Sequence, residues 1–322
     1  METEGIVGGN TTLSMRRKHY FSIVRLLVIA FTTAVAGRAT AQQSPQFTQF
    51  MLNNMVLNPA YAGAEEALSL TVLTRSQWSG VDGAPSTQCF SAHTLLQPQR
   101  VGLGFTVIRD QIGVHKNTNI RTNYAYHLPV NNRGVLSMGL QAGVTTLKSD
   151  YASLLGNSND PQLMSNLNKT FLGFGAGIYY RTTQWCAGLS IPELMSKTLA
   201  VQDTLTVRVR RTNVLGYARY SFMLNEFIDI EPAILLKYYA GVPVSADINL
   251  NVVYRKALTG GLSYRKGESI DLLMRFQLTP QLQLGYAYDH PIGSAGQLSS
   301  ASHELMIGYR FSNIQMDVES PR

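Results

Sequence analysis

Apolar and polar residues alternate along most of the chain, from about residue 67 to residue 311. In the segment 244–254, the even-numbered residues from Val244 to Tyr254 are all apolar, whereas four of the odd-numbered ones are Ser, Asp or Asn. A period of two with one apolar face indicates a half-buried β-strand. After Leu68 no helical period of any length occurs, so the chain is predicted to be all-β.

Turn-forming residues divide the alternating region into fourteen segments, an even number that suits antiparallel strands joined in sequence. The predicted strands lie near residues 67–76, 85–96, 100–111, 116–129, 134–147, 170–181, 183–190, 207–222, 226–239, 243–255, 257–266, 268–278, 281–290 and 302–311. Most connections are short, and the two longer ones lie near residues 151–169 and 192–206.

The composition of the two faces separates a soluble β-sandwich from a membrane barrel, because both folds alternate. The polar face is rich in Gly, Ser, Asn, Gln, Thr and Asp, and only 15% of all residues are charged, against about 25% in soluble proteins. Tyrosines such as Tyr124, Tyr238 and Tyr309 lie on the apolar face near strand ends. These features favour an antiparallel transmembrane β-barrel of about 14 strands in the outer membrane of a Gram-negative cell.

The first 41 residues are predicted to be an extension plus a signal peptide that is removed. Arg16-Arg17-Lys18 is basic, Leu26–Ala36 is too short an apolar run to span a bilayer, and Ala39-Thr40-Ala41 suits cleavage. A short anchoring helix is the alternative, and translation could begin at Met1 or at Met15. Cleavage would remove five basic and two acidic residues and lower the net charge from +7 to +4, which argues against nucleic-acid binding. The remaining parts are an N-terminal segment with a short helix and turn motif (42–66), the barrel (67–311) and a tail (312–322).

Turn formers and aromatic residues are concentrated on either side of the first predicted strand. Pro45–Met51 spaces Phe47 and Phe50 three residues apart, which predicts one or two helical turns. Together with Leu57–Gly63 and Arg75–Pro85, this region resembles the PorP/SprF family, outer-membrane proteins of type IX secretion and gliding motility in Bacteroidetes. The resemblance rests on the motif residues Asn58, Pro59, Tyr61, Gly63, Arg75, Gln77, Trp78, Gly80, Asp82, Gly83 and Pro85.

The motif residues ahead of the barrel have expected conformations. Pro59 pushes Asn58 toward an extended backbone, and Gly63 suits the positive φ of a tight turn. Tyr61 and Trp78 are amphipathic rings suited to the lipid headgroup level. Two interpretations of the N-terminal segment stay open: it docks a partner in the periplasm or lumen, or it plugs the barrel.

The resemblance implies a non-enzymatic component of the type IX secretion system that helps deliver or anchor secreted and surface proteins and supports gliding motility. It implies four kinds of partner: outer-membrane lipid, other secretion components, a periplasmic peptidoglycan-associated protein and an adhesin with a C-terminal sorting domain. The alternative function is a general outer-membrane channel for passive solute diffusion.

The residues offer little catalytic or metal-binding chemistry. Ser91 and His93 share one face beside Cys89, but no third partner is identifiable, and the six histidines show no ligand spacing. We therefore expect no catalytic residue, cofactor or metal.

Cys89 and Cys186 fall on the second and seventh strands, on roughly opposite walls, farther apart than the roughly 7 Å that a disulfide tolerates. Two free thiols are predicted.

The polar faces direct charged side chains of both signs into the predicted lumen. Mixed signs favour ion pairs that fill the barrel over a ring that selects ions, so we expect a largely occluded lumen. The residues expected to line it are Arg121, Asp229, Glu231, Asp247, Asp271, Arg275, Asp289, Glu304 and Arg310.

Overall fold

The computed structural model describes residues 45–97, 99–130, 134–154, 166–195, 197–202, 205–210, 212–292, 300–311 and 316–317. The chain forms two compact units. The larger one, residues 42–240 and 245–322, contains the barrel. Of the smaller one, which comprises residues 1–41 and 241–244, the structure describes only residues 241–244. The predicted signal peptide lies outside the described residues.

Fourteen antiparallel strands, each hydrogen-bonded to its neighbours in sequence order, form one closed sheet. The first and last strands close it, with Leu68 opposite Phe311 and Ser76 opposite His303. This confirms the predicted barrel. The strands are β1 (Leu68–Ser76), β2 (Ser86–Gln97), β3 (Val101–Ile112), β4 (His115–Val130), β5 (Gly134–Ser149), β6 (Leu167–Arg181), β7 (Trp185–Glu193), β8 (Asn213–Tyr220), β9 (Ile228–Tyr239), β10 (Ser245–Tyr254), β11 (Leu258–Arg265), β12 (Ser269–Gln277), β13 (Leu282–Pro291) and β14 (Ser302–Phe311).

Three short elements lie beside the barrel strands. Lys197–Gln202 pairs with Leu205–Arg210 in a separate hairpin between β7 and β8. Phe222–Met223 pairs with β9, and Met316–Asp317 runs parallel to the end of β2. The predicted eighth strand, 207–222, was therefore too long. Residues 205–210 alternate like a barrel strand, so the pattern alone could not separate the hairpin from β8.

The two faces of the sheet have the polarity of a membrane barrel. In β10, Ile248 is 55% exposed and Leu250 is 50% exposed, whereas the intervening Asn249 is 1% exposed. The apolar side chains thus point away from the barrel and the polar ones into it, which is the arrangement that surrounding lipid requires. A soluble sandwich would bury its apolar face instead.

Short helical turns precede β1: the 3-10 helix Phe50–Leu52, the α-helix Asn54–Leu57 and the 3-10 helix Pro59–Tyr61. A further 3-10 helix, Ala152–Leu154, follows β5. Among the described residues, no helix is long and apolar enough to cross a membrane. The turns predicted over Pro45–Met51 occur a few residues later in the chain. The backbone N–H groups of Thr48 and Gln49 bond to the Glu304 carboxylate instead of forming a helix.

The connections define two ends of the barrel. Residues 77–85, 150–166, 194–212 and 292–301 join strands at one end, the long-loop end. Residues 98–100, 131–133, 182–184, 255–257 and 278–281 join strands at the other, the short-turn end, where β1 begins and β14 finishes. In outer-membrane barrels the short turns face the periplasm and the long loops face the exterior.

Candidate functional site

Residues 45–66, the inner segment, lie inside the barrel. Thr48 and Ala60 have 0% of their surface exposed. Thr48 contacts the wall toward the long-loop end, Asn58 contacts β6 and β7 midway, and Glu65 contacts Arg310 at the short-turn end. The inner segment therefore runs through the lumen toward the short-turn end and continues directly into β1.

The centre of the inner segment is a turn built from the motif residues. Asn58 is extended, with φ −143° and ψ 116°, and its side-chain oxygen accepts a hydrogen bond from Ala60 N at 3.0 Å. Pro59 begins the 3-10 helix, where its fixed φ is suitable and no N–H is needed. Gly63 ends the turn with φ +79°. The predictions for Asn58 and Gly63 are confirmed.

Tyr61 lies in the lumen, so the prediction that it sits at the headgroup level was wrong. Its ring packs edge-on against Tyr179, with 5.4 Å between ring centres, and its hydroxyl donates to Glu65 at 3.2 Å. Burial raises the pKa of the Tyr61 hydroxyl well above its usual range. The apolar ring of Tyr61 packs inside the barrel and its hydroxyl makes a polar contact there, instead of at a membrane interface.

Asn58 also fixes the turn to the barrel wall. Its side-chain nitrogen donates to Ile178 O on β6 at 2.8 Å and to Leu189 O on β7 at 3.4 Å. The hydroxyl of Ser190 donates to Leu57 O at 2.6 Å. The asparagine therefore joins two strands to the inner segment while it caps its own turn.

Wall glycines let the inner segment approach the strands closely. A Cβ placed on Gly139 of β5 would lie 2.5 Å from both Ala60 Cα and Pro59 C, a distance that real Cβ atoms essentially never show. Gly102 of β3 likewise faces the backbone of Ala62. Both obstructing groups are backbone, so neither could rotate away from a larger side chain.

A buried charge cluster holds the start of the inner segment. Glu304, which has no exposed surface, accepts hydrogen bonds from Thr48 N at 2.9 Å and Gln49 N at 2.8 Å. The Thr48 hydroxyl donates to Asp289 at 2.7 Å. Arg75 bridges all three partners: it donates to the Thr48 hydroxyl at 2.8 Å and pairs with Asp289 at 2.6 Å and with Glu304 at 3.3 Å.

The cluster extends along the wall from β13 to β9. Arg265 lies 3.5 Å from Asp247 and 3.8 Å from both Asp271 and Asp289, and Lys237 pairs with Asp247 at 2.9 Å. These groups are all buried. An unpaired buried charge is costly, so three cations among four carboxylates form a network that tolerates little rearrangement.

At the short-turn end, Glu65 fixes the other end of the inner segment. It accepts hydrogen bonds from Ser69 at 2.7 Å and from Arg310 at 2.8 Å, and its carboxylate lies 4.0 Å from His93 Nε2. Burial alone would raise the pKa of Glu65. The neighbouring His93 and Arg310, with the Ser69 hydrogen bond, outweigh it and lower that pKa.

The polar side chains considered for catalysis hold the inner segment. The Ser91 hydroxyl donates to Asn53 Oδ1 at 3.1 Å, and His93 Nδ1 accepts from Gly63 N at 3.2 Å. Cys89 and Cys186 are buried and free, on β2 and β7. Within the described residues, no cluster of His, Cys, Asp and Glu could hold a metal ion.

The remaining lumen residues divide between ion pairs and single contacts. Arg121 pairs with Glu193. Glu231 lies 3.7 Å from Arg219, and Arg275 donates to the Thr259 hydroxyl. Asp229 lies on the inward-facing side of β9, one inward position before Glu231, as the alternation of that strand shows.

The motif residues from Gln77 to Pro85 lie outside the lumen, unlike Arg75. They form the β1–β2 connection at the long-loop end, where Gln77 N bonds to Pro85 O at 2.9 Å. Gly80 and Gly83 have positive φ, and Trp78 is exposed. The structure thus brings together Asn58, Pro59, Tyr61, Gly63 and Arg75 in the lumen. The other motif residues lie in the β1–β2 connection, where Trp78, Gly80, Asp82 and Gly83 are exposed, Gln77 is partly exposed and Pro85 is buried.

Sequence reasoning missed two residues of the charge cluster. Arg265 shares the inward face of β11 with Ser263 and Gly261, so its alternation was a usable signal. Thr48 gave no signal, because an unremarkable threonine ahead of the first strand does not reveal that it accepts from two arginines and donates to Asp289.

A closed 14-strand barrel with an apolar exterior and a polar interior defines an outer-membrane β-barrel protein. Residues 39–309 match the family of type IX secretion system membrane proteins PorP/SprF. The chain belongs to this family and lies in the outer membrane. No curated protein matches it significantly.

Several solved outer-membrane proteins are similar in structure. The CymD monoaromatic hydrocarbon channel is 12% identical with a TM-score of 0.49, covering 80% of this chain and 92% of that one. A TodX deltaS2S3 mutant, also a monoaromatic hydrocarbon channel, is 10% identical with a TM-score of 0.48, covering 86% and 97%. The Acinetobacter baumannii protein Omp33 is 10% identical with a TM-score of 0.42, covering 76% and 99%.

Proposed function

We propose that this protein is a non-enzymatic anchor of the type IX secretion system, with a lumen that its own inner segment largely occludes. The observation that carries the proposal is the path of residues 45–66 through the barrel. The segment is hydrogen-bonded at its start to Glu304, in its middle to β6 and β7, and at its end to Arg310. A barrel filled in this way is better suited to binding other proteins than to passing solutes through its lumen.

The alternative is a general porin, which needs an open lumen. Opening this lumen would separate Thr48 from Arg75, Asp289 and Glu304. Each of these is a hydrogen bond to a charged group, and such bonds typically contribute about 1.5–3 kcal/mol apiece. The contacts of the inner segment therefore favour a static filling over a movable gate.

The two ends of the barrel suit different partners. We propose that the short-turn end meets a periplasmic, peptidoglycan-associated protein and other secretion components. The long-loop end, with the exposed Trp78 loop, would receive a secreted adhesin that carries a C-terminal sorting domain. Through that client the protein would contribute to gliding motility. The exposed apolar belt contacts membrane lipid, and residues 1–41 would be removed during export.

Two measurements test the proposal. Purified protein in planar bilayers should show no stable current comparable to that of a general porin measured in the same membranes. A large, stable open-pore current would contradict the occluded anchor. Deletion of the gene should abolish surface display of at least one protein with a C-terminal sorting domain, and the intact gene should restore it. Unchanged display of all such proteins would contradict the secretion role.

A further inference from the structure

A small pocket of about 20 Å³ remains between the inner segment and the wall from β8 to β12. Its lining includes Gln49 and Leu52 from the inner segment and Arg219, Glu231, Thr259 and Arg275 from the wall. The hydrogen bonds of Asn58 hold the inner segment against β6 and β7 instead. This sector of the lumen is therefore left partly unfilled.

The pocket lies near the short-turn end. Arg219 is the penultimate residue of β8, Thr259 is the second residue of β11, and Arg275 is two residues before the end of β12. All three positions lie at the short-turn end of their strands. The pocket therefore faces the periplasm if the loops follow the usual orientation of outer-membrane barrels.

The pocket carries an excess of positive charge. Arg219 lies 3.7 Å from Glu231, a loose pair. Among the described residues, the guanidinium of Arg275 donates to the Thr259 hydroxyl alone, from Nε at 3.1 Å and Nη2 at 2.8 Å. No carboxylate of the described chain lies within 4.0 Å of Arg275. Two arginines and one glutamate give the lining a net charge of about +1, with guanidinium donors still unused.

We propose that this pocket binds a carboxylate group of a polypeptide on the periplasmic side. Guanidinium groups match carboxylates in geometry and form paired, charge-assisted hydrogen bonds with them. The adjoining Leu52 and Leu273 provide apolar contact for the chain that bears the carboxylate. The carboxylate belongs either to a chain terminus or to an acidic side chain. This assignment is independent of the secretion role and depends only on the pocket.

A cysteine reporter in the full-length protein tests the charge of the pocket. Leu52→Cys places a half-buried thiol in the lining, whereas the native Cys89 and Cys186 are buried and serve as an unreactive background. An anionic methanethiosulfonate should modify Cys at position 52 at least about fivefold faster than a cationic one of similar size. Arg275→Gln should remove that preference. Arg255→Gln, which deletes a charge outside the lumen at the same end, should preserve it.

Protection experiments identify the ligand. Trialanine with a free carboxylate represents a chain terminus, and N-acetyl-aspartate amide represents an acidic side chain. At millimolar concentration at least one of them should slow the modification of the cysteine at position 52. The more protective of the two shows which kind of carboxylate the pocket binds. Amidated trialanine should not protect. Calorimetric titration of the protein without the cysteine substitution should rank the affinities of these compounds in the same order. Equal protection by amidated trialanine, stronger protection by phosphate, no protection, or an unreactive thiol would each overturn the proposal.

Discussion

Replacing Gly139 with alanine should displace the inner segment. The new Cβ would collide with Ala60 N and would lie 2.5 Å from Ala60 Cα and Pro59 C, whereas ordinary contact begins at 3.4 Å, so the turn or the strand must shift by more than about 0.9 Å. All three obstructing atoms are backbone. Overpacking of this kind costs about 1–3 kcal/mol. The shift would also strain the bonds that Asn58 makes to β6 and β7.

Amide hydrogen exchange of the inner segment measures this directly. The N–H groups of Ala60, Tyr61 and Ala62 are bonded within the turn and should exchange slowly in the native protein. A cost of about 1–3 kcal/mol corresponds to exchange about 5–150 times faster in Gly139→Ala. Gly260→Ala is the matched control, because a Cβ on Gly260 in β11 meets nothing within 4 Å. Equal exchange in the two variants would refute the close approach.

Two further predictions concern the two ends of the inner segment. Glu304→Gln keeps the shape of the side chain but removes the charge that Arg75 faces, so we expect a loss of about 3–5 kcal/mol in the free energy of unfolding by denaturant. Glu268→Gln, at a partly exposed side chain 3.9 Å from Arg265, should cost less than about 1 kcal/mol, and an equal loss would contradict the role of Glu304. At the other end, the lowered pKa of Glu65 means that its carboxylate stabilises the folded protein above the pKa of an unfolded glutamate, about 4.3. That stabilisation should disappear as the pH falls from there through the folded pKa, and Glu65→Gln should flatten this part of the pH dependence; an unchanged slope would contradict the assignment.

The barrel was predictable because each strand carries its own signal. Alternation within β10, for example, fixes which side chains face lipid, and the turns around it fix its length. The pairing of charges was not predictable in the same way. Arg75 stands opposite Glu304 only because β1 closes on β14 in one register. A shift of that register by two residues would keep every side chain on its face but separate this pair.

The sequence left open whether the inner segment plugs the barrel, for a different reason. Asn58, Pro59 and Gly63 are residues that an exposed turn would use equally well. What makes the turn a lumenal one is its surroundings: the carbonyls of Ile178 and Leu189 and the missing side chain of Gly139. Those residues lie some 80 to 130 positions away in the chain, so no local pattern joins them to the turn.

The family motif therefore combines two structural roles that the chain keeps apart. Asn58, Tyr61 and Gly63 already contact residues of the barrel wall, so a partner could reach them only by displacing the inner segment. Arg75 connects the lumenal and the loop residues of the motif, because it pairs with Glu304 in the lumen and lies three residues before the exposed Trp78. If the motif docks a partner, the docking residues must come from the loop 77–85. Substitutions there should change partner binding and leave barrel stability within about 0.5 kcal/mol, as for other surface positions, whereas substitutions of Asn58 or Arg75 should lower the stability first.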